Sequence, residues 1–98
     1  MVKTASDFTL SVPVTFFREG KSFVAYSPVL DLSTSGRSFA QAQKRFLEAV
    51  QIFFEETSEK GMLDQVLANL GWTKIRSQWR PPFFVSHRSE RVKVPLHA

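Results

Sequence analysis

The stretch FVAYSPVLDLSTSG, residues 23–36, decides the fold of this 98-residue chain. It begins as a strand, is interrupted at Pro28, and resumes as an apolar run before a Ser- and Thr-rich segment that ends at Gly36. Proline has no backbone N–H to give to a ladder, and it holds the preceding residue in extended geometry. We therefore expect the strand to stop pairing at Pro28 and residues 29–32 to form a rim beside the sheet.

A rim of this kind is a candidate binding surface. It would offer alternating apolar side chains and free backbone donors, which suits a partner that adds through β-contacts. The predicted partner-binding residues are Tyr26, Pro28, Leu30, Asp31 and Leu32. A structural crossover with an Asx-type turn at Asp31 is an equally good interpretation of the same residues.

The residues before this stretch predict a β-hairpin. Residues 8–16 alternate, which is typical of a half-buried strand, and the inward set would be Phe8, Leu10, Val12, Val14 and Phe16. Pro13 favours an edge position for this strand. Residues 18–21 contain Gly20 and predict a turn, so residues 22–27 return as the second strand of an antiparallel pair.

A long helix is predicted to follow. Ser38 is a good N-cap, and Gln41 three residues later completes a capping-box pattern. Apolar residues then recur at three- and four-residue spacing and predict one buried stripe: Phe39, Ala42, Phe46, Ala49, Val50, Phe53 and Phe54. Gly61 predicts the end of this helix, and Gly71 the end of a second, short one.

The remainder of the chain has strand-like patterns. Residues 72–80 alternate, which predicts one strand with Trp79 on one face and Lys74, Arg76 and Arg80 on the other. Two further strands are predicted at residues 83–87 and 92–96. The order β-β-β-α-α-β with extra C-terminal strands predicts an α+β fold, with an antiparallel sheet packed against one long helix. Without a linker, residues 1–98 are expected to form one domain.

The composition of the chain limits the kinds of function that it can have. The chain has no cysteine, so it has no disulfide framework, and no apolar run approaches the roughly 18 residues of a membrane span. We expect a cytoplasmic protein without membrane contact. Residues 1–71 carry a net charge of −1 and residues 72–98 a net charge of +5. The basic end indicates either an anionic partner, with Lys74, Arg76 and Arg80 as candidate nucleic-acid contacts, or a solvated basic face.

The search for catalytic chemistry is negative. His87 and His97 stand ten residues apart, with only Glu90 as an acidic neighbour, so no metal site is predicted. Ser33, Thr34 and Ser35 have no histidine near them in sequence, and they are better explained as residues that connect a strand end to a helix cap. We therefore expect no enzyme activity, no catalytic residue, no metal and no cofactor.

Taken together, residues 12–72 resemble the HicB-like antitoxin family. The resemblance rests on the order and spacing of a strand, an F-V-A-Y-x-P-x-L-D-L run, a polar segment ending in glycine, a helix with Ala and Glu positions and a closing Leu-Gly-Trp. The matching positions are Phe23, Val24, Ala25, Tyr26, Pro28, Leu30, Asp31, Gly36, Ala42, Glu48, Ala49, Leu70, Gly71 and Trp72.

The resemblance implies a partial ribonuclease-H-like fold that lacks catalysis. It also implies a homo-oligomer, a dimer or a tetramer, and a protein partner: a small RNA-cleaving toxin of the HicA type that the chain neutralises by occluding it. Many members carry a separate C-terminal DNA-binding domain, and none is predicted here. Two alternatives stay open, namely a nucleic-acid-binding oligomer that uses the basic C-terminal third and a structural domain without a toxin partner. Exposed C-terminal strands would support oligomerisation by pairing across subunits.

Overall fold

A computed structural model describes residues 10–97 as an α+β protein. Three strands come first: β1 (Thr15–Glu19), β2 (Ser22–Ser27) and β3 (Leu32–Gly36). The long helix α1 (Phe39–Glu59) and the short helix α2 (Leu63–Asn69) follow, and then the strands β4 (Thr73–Ile75) and β5 (Gln78–Arg80). The strands form two separate antiparallel sheets, one of order β1-β2-β3 and one of order β4-β5.

The register of the large sheet separates its two faces. Phe16 pairs with Ala25, and Ala25 pairs with Thr34, so these residues lie on one face. This is the face that α1 covers, since the Thr34 hydroxyl donates to the Ala42 carbonyl at 3.0 Å. Val24 pairs with Phe17 on one side and with Ser35 on the other, and these three residues lie on the opposite face. No element within residues 10–97 packs on that second face.

The interruption at Pro28 is a hairpin loop and not a rim. Ser27 pairs with Leu32, so residues 28–31 form a four-residue connection between β2 and β3. Asp31 closes it in the left-handed region, with φ 50°, which Asp tolerates better than most residues. Val29 and Leu30 are both 3% exposed. The prediction of a rim over residues 29–32 is therefore wrong, because Val29 and Leu30 anchor the loop in the core and Leu32 begins β3.

Helix α1 begins and ends as its sequence predicts. The Ser38 hydroxyl accepts a hydrogen bond from the Gln41 N–H, at 3.1 Å. The Gln41 side chain in turn accepts from the N–H of Arg37, one residue earlier than in a standard capping box. Gly61 follows the helix with φ 67°. At the start of α1 the backbone passes so close to Gly36 that a Cβ there would lie 2.8 Å from the Ala42 nitrogen.

Two apolar clusters form the core. In one, Ala25 of β2 packs against Ala42 and Phe46 of α1. In the other, Val29 and Leu30 pack against Leu67 of α2 and Trp72. The Trp72 indole N–H donates to the Val29 carbonyl at 2.7 Å, which ties the β2–β3 loop to the segment after α2. The predicted α1 stripe is confirmed, although Phe39 at its start is half exposed and stacks on Phe16 with ring centroids 4.6 Å apart.

The first strand is shorter than its pattern predicts. Phe8 lies outside the described residues, and residues 10–14 form no regular element. Leu10, Val12 and Val14 nevertheless pack against the core, as the alternation predicts. Strand β1 lies at one edge of its sheet, as Pro13 predicts.

Residues 72–80 fold as a tight hairpin, so the prediction of a single strand is wrong. Strands β4 and β5 pair directly, with Lys74 opposite Trp79, and only two residues connect them. These are Arg76 with φ 53° and Ser77 with φ 67°. Two successive positive φ values are what a type I′ turn requires. The alternating pattern gave no sign of this reversal because neither turn position is Gly or Asn.

The C-terminal strands predicted at residues 83–87 and 92–96 are also absent. Residues 81–97 contain neither helix nor strand. A strand needs a neighbour to satisfy its backbone, and no described strand runs beside this segment. Within the described residues, no helix combines the length and the apolar content needed to cross a membrane.

Candidate binding surface

The uncovered face of the three-stranded sheet is the candidate site. It forms a shallow groove of about 400 Å³. Phe17, Val24 and Tyr26 lie along it, one from β1 and two from β2, and Ser33 and Ser35 of β3 form its far side. Phe17 keeps 44% of its surface exposed. An exposed aromatic floor beside small hydroxyl side chains is a surface that can accept side chains of a partner.

A carboxylate lies at each end of this groove. Glu19 lines it at the β1–β2 turn. Asp31 lies beyond the other end, where its carboxylate accepts a hydrogen bond from the Tyr26 hydroxyl at 3.2 Å. The lining contains no Lys or Arg, and the Arg45 guanidinium lies at its β3 side, where it donates to the Ser35 carbonyl at 2.9 Å. The groove thus combines aromatic and hydroxyl side chains between two carboxylates.

Tyr26 and Asp31 are chemically coupled. Burial raises the pKa of the Tyr26 phenol above its ordinary value, and the hydrogen bond to Asp31 and the charge of its carboxylate raise that pKa further. The hydrogen bond between the two side chains fixes the orientation of both at the rim of the groove.

The structure divides the five predicted partner-binding residues. Tyr26 and Asp31 lie together at the groove, and Pro28 is exposed in the loop beside them. Leu30 is in the core, and Leu32 is half-buried on the helix side, where it packs against both apolar clusters. Leu30 cannot contact a partner without unfolding the loop. Phe17 of the edge strand β1 also lines the groove, and only the pairing register places it there.

The three predicted nucleic-acid contacts do not share one surface. Lys74 lies 3.4 Å from the Asp64 carboxylate and 5.5 Å from the centre of the Trp79 ring. Arg80 pairs with Thr73 on the other face of the hairpin, and Arg76 is in its turn. The prediction that Trp79 lies opposite the basic residues is wrong for Lys74, because cross-strand partners project to the same face.

The described residues hold no group of three or more His, Cys, Asp or Glu side chains that could bind a metal ion. Ser33 and Ser35 line the groove without a histidine in its lining. Comparison of the chain with protein-family models, curated proteins and solved structures finds no match.

Proposed function

We propose that the chain is an antitoxin-like binding protein that occludes a small, basic, RNA-cleaving toxin of the HicA type. The observation that carries this proposal is the uncovered sheet face, with its aromatic floor between two carboxylates and no cation in its lining. A surface that binds RNA is positively charged. A groove with negatively charged ends is complementary to such a surface, and complementarity of this kind sets partner choice.

The HicB-like resemblance supports the same partner. In this proposal the three-stranded sheet with α1 is a partial ribonuclease-H-like fold that has kept its binding surface and has no catalytic role. The protein would act in the cytoplasm, by covering another protein and not by turnover. Tyr26, Asp31 and Phe17 would make the central contacts, with Pro28 at the margin.

The test begins with the reading frame next to the one that encodes this chain. We expect it to encode a basic protein of roughly 60–90 residues, a size that suits one small domain. The two proteins should co-purify, and the partner should cleave RNA only when this chain is withheld. If the neighbouring product does not bind the chain, the proposal is wrong.

Matched variants locate the contact. Phe17→Ala should weaken the complex about tenfold or more, because a central aromatic side chain contributes most to an interface. Phe84→Ala is its control, since Phe84 is also about half exposed (51%) but lies far along the chain from the groove. Glu19→Lys should weaken binding, and Glu48→Lys on α1 should not. Equal losses for the groove and control variants would contradict the assignment of the surface.

The nucleic-acid alternative has a separate readout. It predicts that the chain alone binds RNA or DNA, with an affinity that falls steeply as salt increases. Lys74→Ala with Arg80→Ala would then reduce that affinity. We expect no such binding, because the structure places these two side chains on opposite faces of the β4–β5 hairpin.

A further inference from the structure

The end of the chain is an exposed apolar and basic segment, residues 83–97, here called the C-terminal arm. Its apolar side chains are all exposed, from 51% at Phe84 to 93% at Val85. The arm has no backbone hydrogen bond to any other described residue. Soluble proteins seldom leave such a row of apolar groups uncovered unless they bind something.

The arm extends away from the rest of its own chain. The longest dimension of the structure is 69 Å. Helix α1, with 21 residues, accounts for only about 31 Å of length. The arm starts beside α2, where Pro82 lies within van der Waals distance of the position that a side chain at Gly71 would take. The two apolar clusters of the core include no residue beyond Trp79, so the arm belongs to neither.

The solvent side of α1 has the opposite charge. We call it the acidic face of α1 and define it by Glu48, Ile52, Glu55 and Glu59. These residues follow one another at helical spacing, and all of them are exposed. Ile52 is 53% exposed. The last turn of α1 contains no basic residue.

This arrangement favours a basic partner for α1. Carboxylates near a helix C-terminus oppose the helix dipole, and cations are stabilising there. No salt bridge within residues 10–97 involves Glu48, Glu55 or Glu59. The face therefore presents three carboxylates that form no ion pair among the described residues, beside the exposed Ile52, and its one cation within the helix is Lys44, a turn before Glu48.

The arm carries basic and apolar side chains over a length close to that of the acidic face. Arg91 and Lys93 alternate with Val92, Val94 and Leu96. Residues 91–96 span about 17 Å when extended, and the part of α1 from Glu48 to Glu59 spans about 17 Å. Arg91 and Lys93 also have no salt bridge within the described part of the chain.

We propose that residues 91–96 of one copy dock on the acidic face of α1 of a second copy. In a two-fold dimer this contact would occur twice, because each arm would bind the helix of its partner. The arm's own helix is the less suitable target, since the arm extends away from it. The proposal is independent of the toxin and of the groove on the sheet, which faces the other way from α1.

The absence of cysteine from the whole chain allows a direct test. Two full-length single-cysteine proteins, Ile52→Cys and Val94→Cys, are mixed and treated with a short bismaleimide. We expect a cross-linked heterodimer. The control replaces Ile52→Cys with Lys21→Cys in the β1–β2 turn, away from α1, and should give little product.

The double variant, with Ile52→Cys and Val94→Cys in one chain, separates docking between copies from docking within a chain. Docking between copies predicts dimers whose yield increases with protein concentration. Internal cross-linking that does not depend on concentration would show that the arm binds its own helix and would overturn the proposal. Equal cross-linking of Val94→Cys to the Lys21→Cys control would overturn it as well.

A charge exchange tests the chemistry of the contact. Arg91→Glu with Lys93→Glu should weaken the dimer about tenfold in sedimentation velocity, and so should Glu55→Lys with Glu59→Lys. A protein that carries all four changes should recover most of the native affinity, because the charges are then exchanged and not lost. Failure of this recovery, or a native chain that stays monomeric at micromolar concentration, would contradict the proposal.

Discussion

At the scale of single residues, the buried hydroxyl of Ser27 lowers the stability of the fold. Ser27 is fully buried, and its Oγ has no hydrogen-bond partner within the described chain. A buried polar group without a partner costs about 1–3 kcal/mol of stability, and a similarly shaped apolar group avoids that cost. Ser27 immediately precedes the loop at Pro28, so the unsatisfied group lies at the point where β2 stops.

We therefore predict that Ser27→Ala stabilises the protein by about 1 kcal/mol. Chemical denaturation should show a higher midpoint with an unchanged slope. Ser33→Ala is the control, because Ser33 is exposed in β3 and its removal should change the free energy of unfolding by less than about 0.5 kcal/mol. A destabilised Ser27→Ala protein would show that the hydroxyl has a partner.

Tyr26 gives a second prediction at this scale, and it is the only tyrosine in the chain. Its raised pKa, caused first by burial and then by Asp31, places the midpoint of phenolate absorbance above the usual value of about 10. Asp31→Asn should lower that midpoint, and Asn also tolerates the positive φ at this position. An unchanged midpoint would contradict the coupling.

The raised pKa of Tyr26 also makes the stability of the fold depend on pH. The folded-state pKa lies above the unfolded-state pKa, so the fold favours the protonated phenol. This contribution is fully present below about pH 10 and is lost as the pH rises through the folded-state pKa. The loss of stability as the pH rises through the folded-state pKa should therefore be smaller in Asp31→Asn than in the native chain, and denaturation at a series of alkaline pH values measures it.

At the scale of elements, the β4–β5 hairpin has an unfavourable turn sequence. Arg76 and Ser77 both have positive φ, which costs about 1 kcal/mol or more for a residue with a Cβ. Replacing the pair with Asn-Gly, the preferred type I′ sequence, should stabilise the protein by about 1–2 kcal/mol. Thermal unfolding is the measurement, and Gly-Asn at these two positions is a control of the same composition with a smaller expected gain. No gain from Asn-Gly would mean that the turn is not type I′ in solution.

The sequence predicts some elements better than others. An element is predictable when the residues that specify it lie within a few positions of it in the chain, and it is not when they lie on a distant segment. Ser38, Gln41 and Gly61 specify the limits of α1 through contacts within a few residues, so the sequence is sufficient. The β4–β5 reversal has no Gly or Asn, and only pairing between Lys74 and Trp79 reveals it. The predicted strands at 83–87 and 92–96 have suitable side chains but no neighbouring strand, which is information that the segment itself does not contain.

Functional residues are subject to the same limit, as the groove shows, because local sequence does not reveal which strands pair. Tyr26 and Asp31 lie close in sequence to Pro28, so the interruption at that residue predicts them. Phe17 belongs to the groove only because β1 pairs with β2 in one particular register. The apolar character of Leu30 predicts a contact residue if the segment is exposed, and it places Leu30 in the core once the loop turns inward.

At the scale of the whole molecule, docking of the C-terminal arm would make two associated copies more stable than a dissociated one. Within one chain the arm buries almost nothing, so it adds little to the free energy of unfolding of a dissociated copy. Docking on a second copy would add to stability by mass action, because association removes native chains from the unfolding equilibrium. Stability would then depend on protein concentration.

We expect the melting temperature of the native chain to rise by about 3–5 °C for each tenfold increase in concentration above the dissociation constant. Val92→Ser with Val94→Ser should abolish this dependence and leave the melting temperature at high dilution unchanged, because both side chains are exposed in the single copy (76% and 70%). Val85→Ser is the control, since Val85 is also exposed (93%) but lies outside residues 91–96, and it should keep the dependence. A lower melting temperature of the double variant at high dilution would show that the arm packs on its own chain, and a native melting temperature independent of concentration would show that it docks on no second copy.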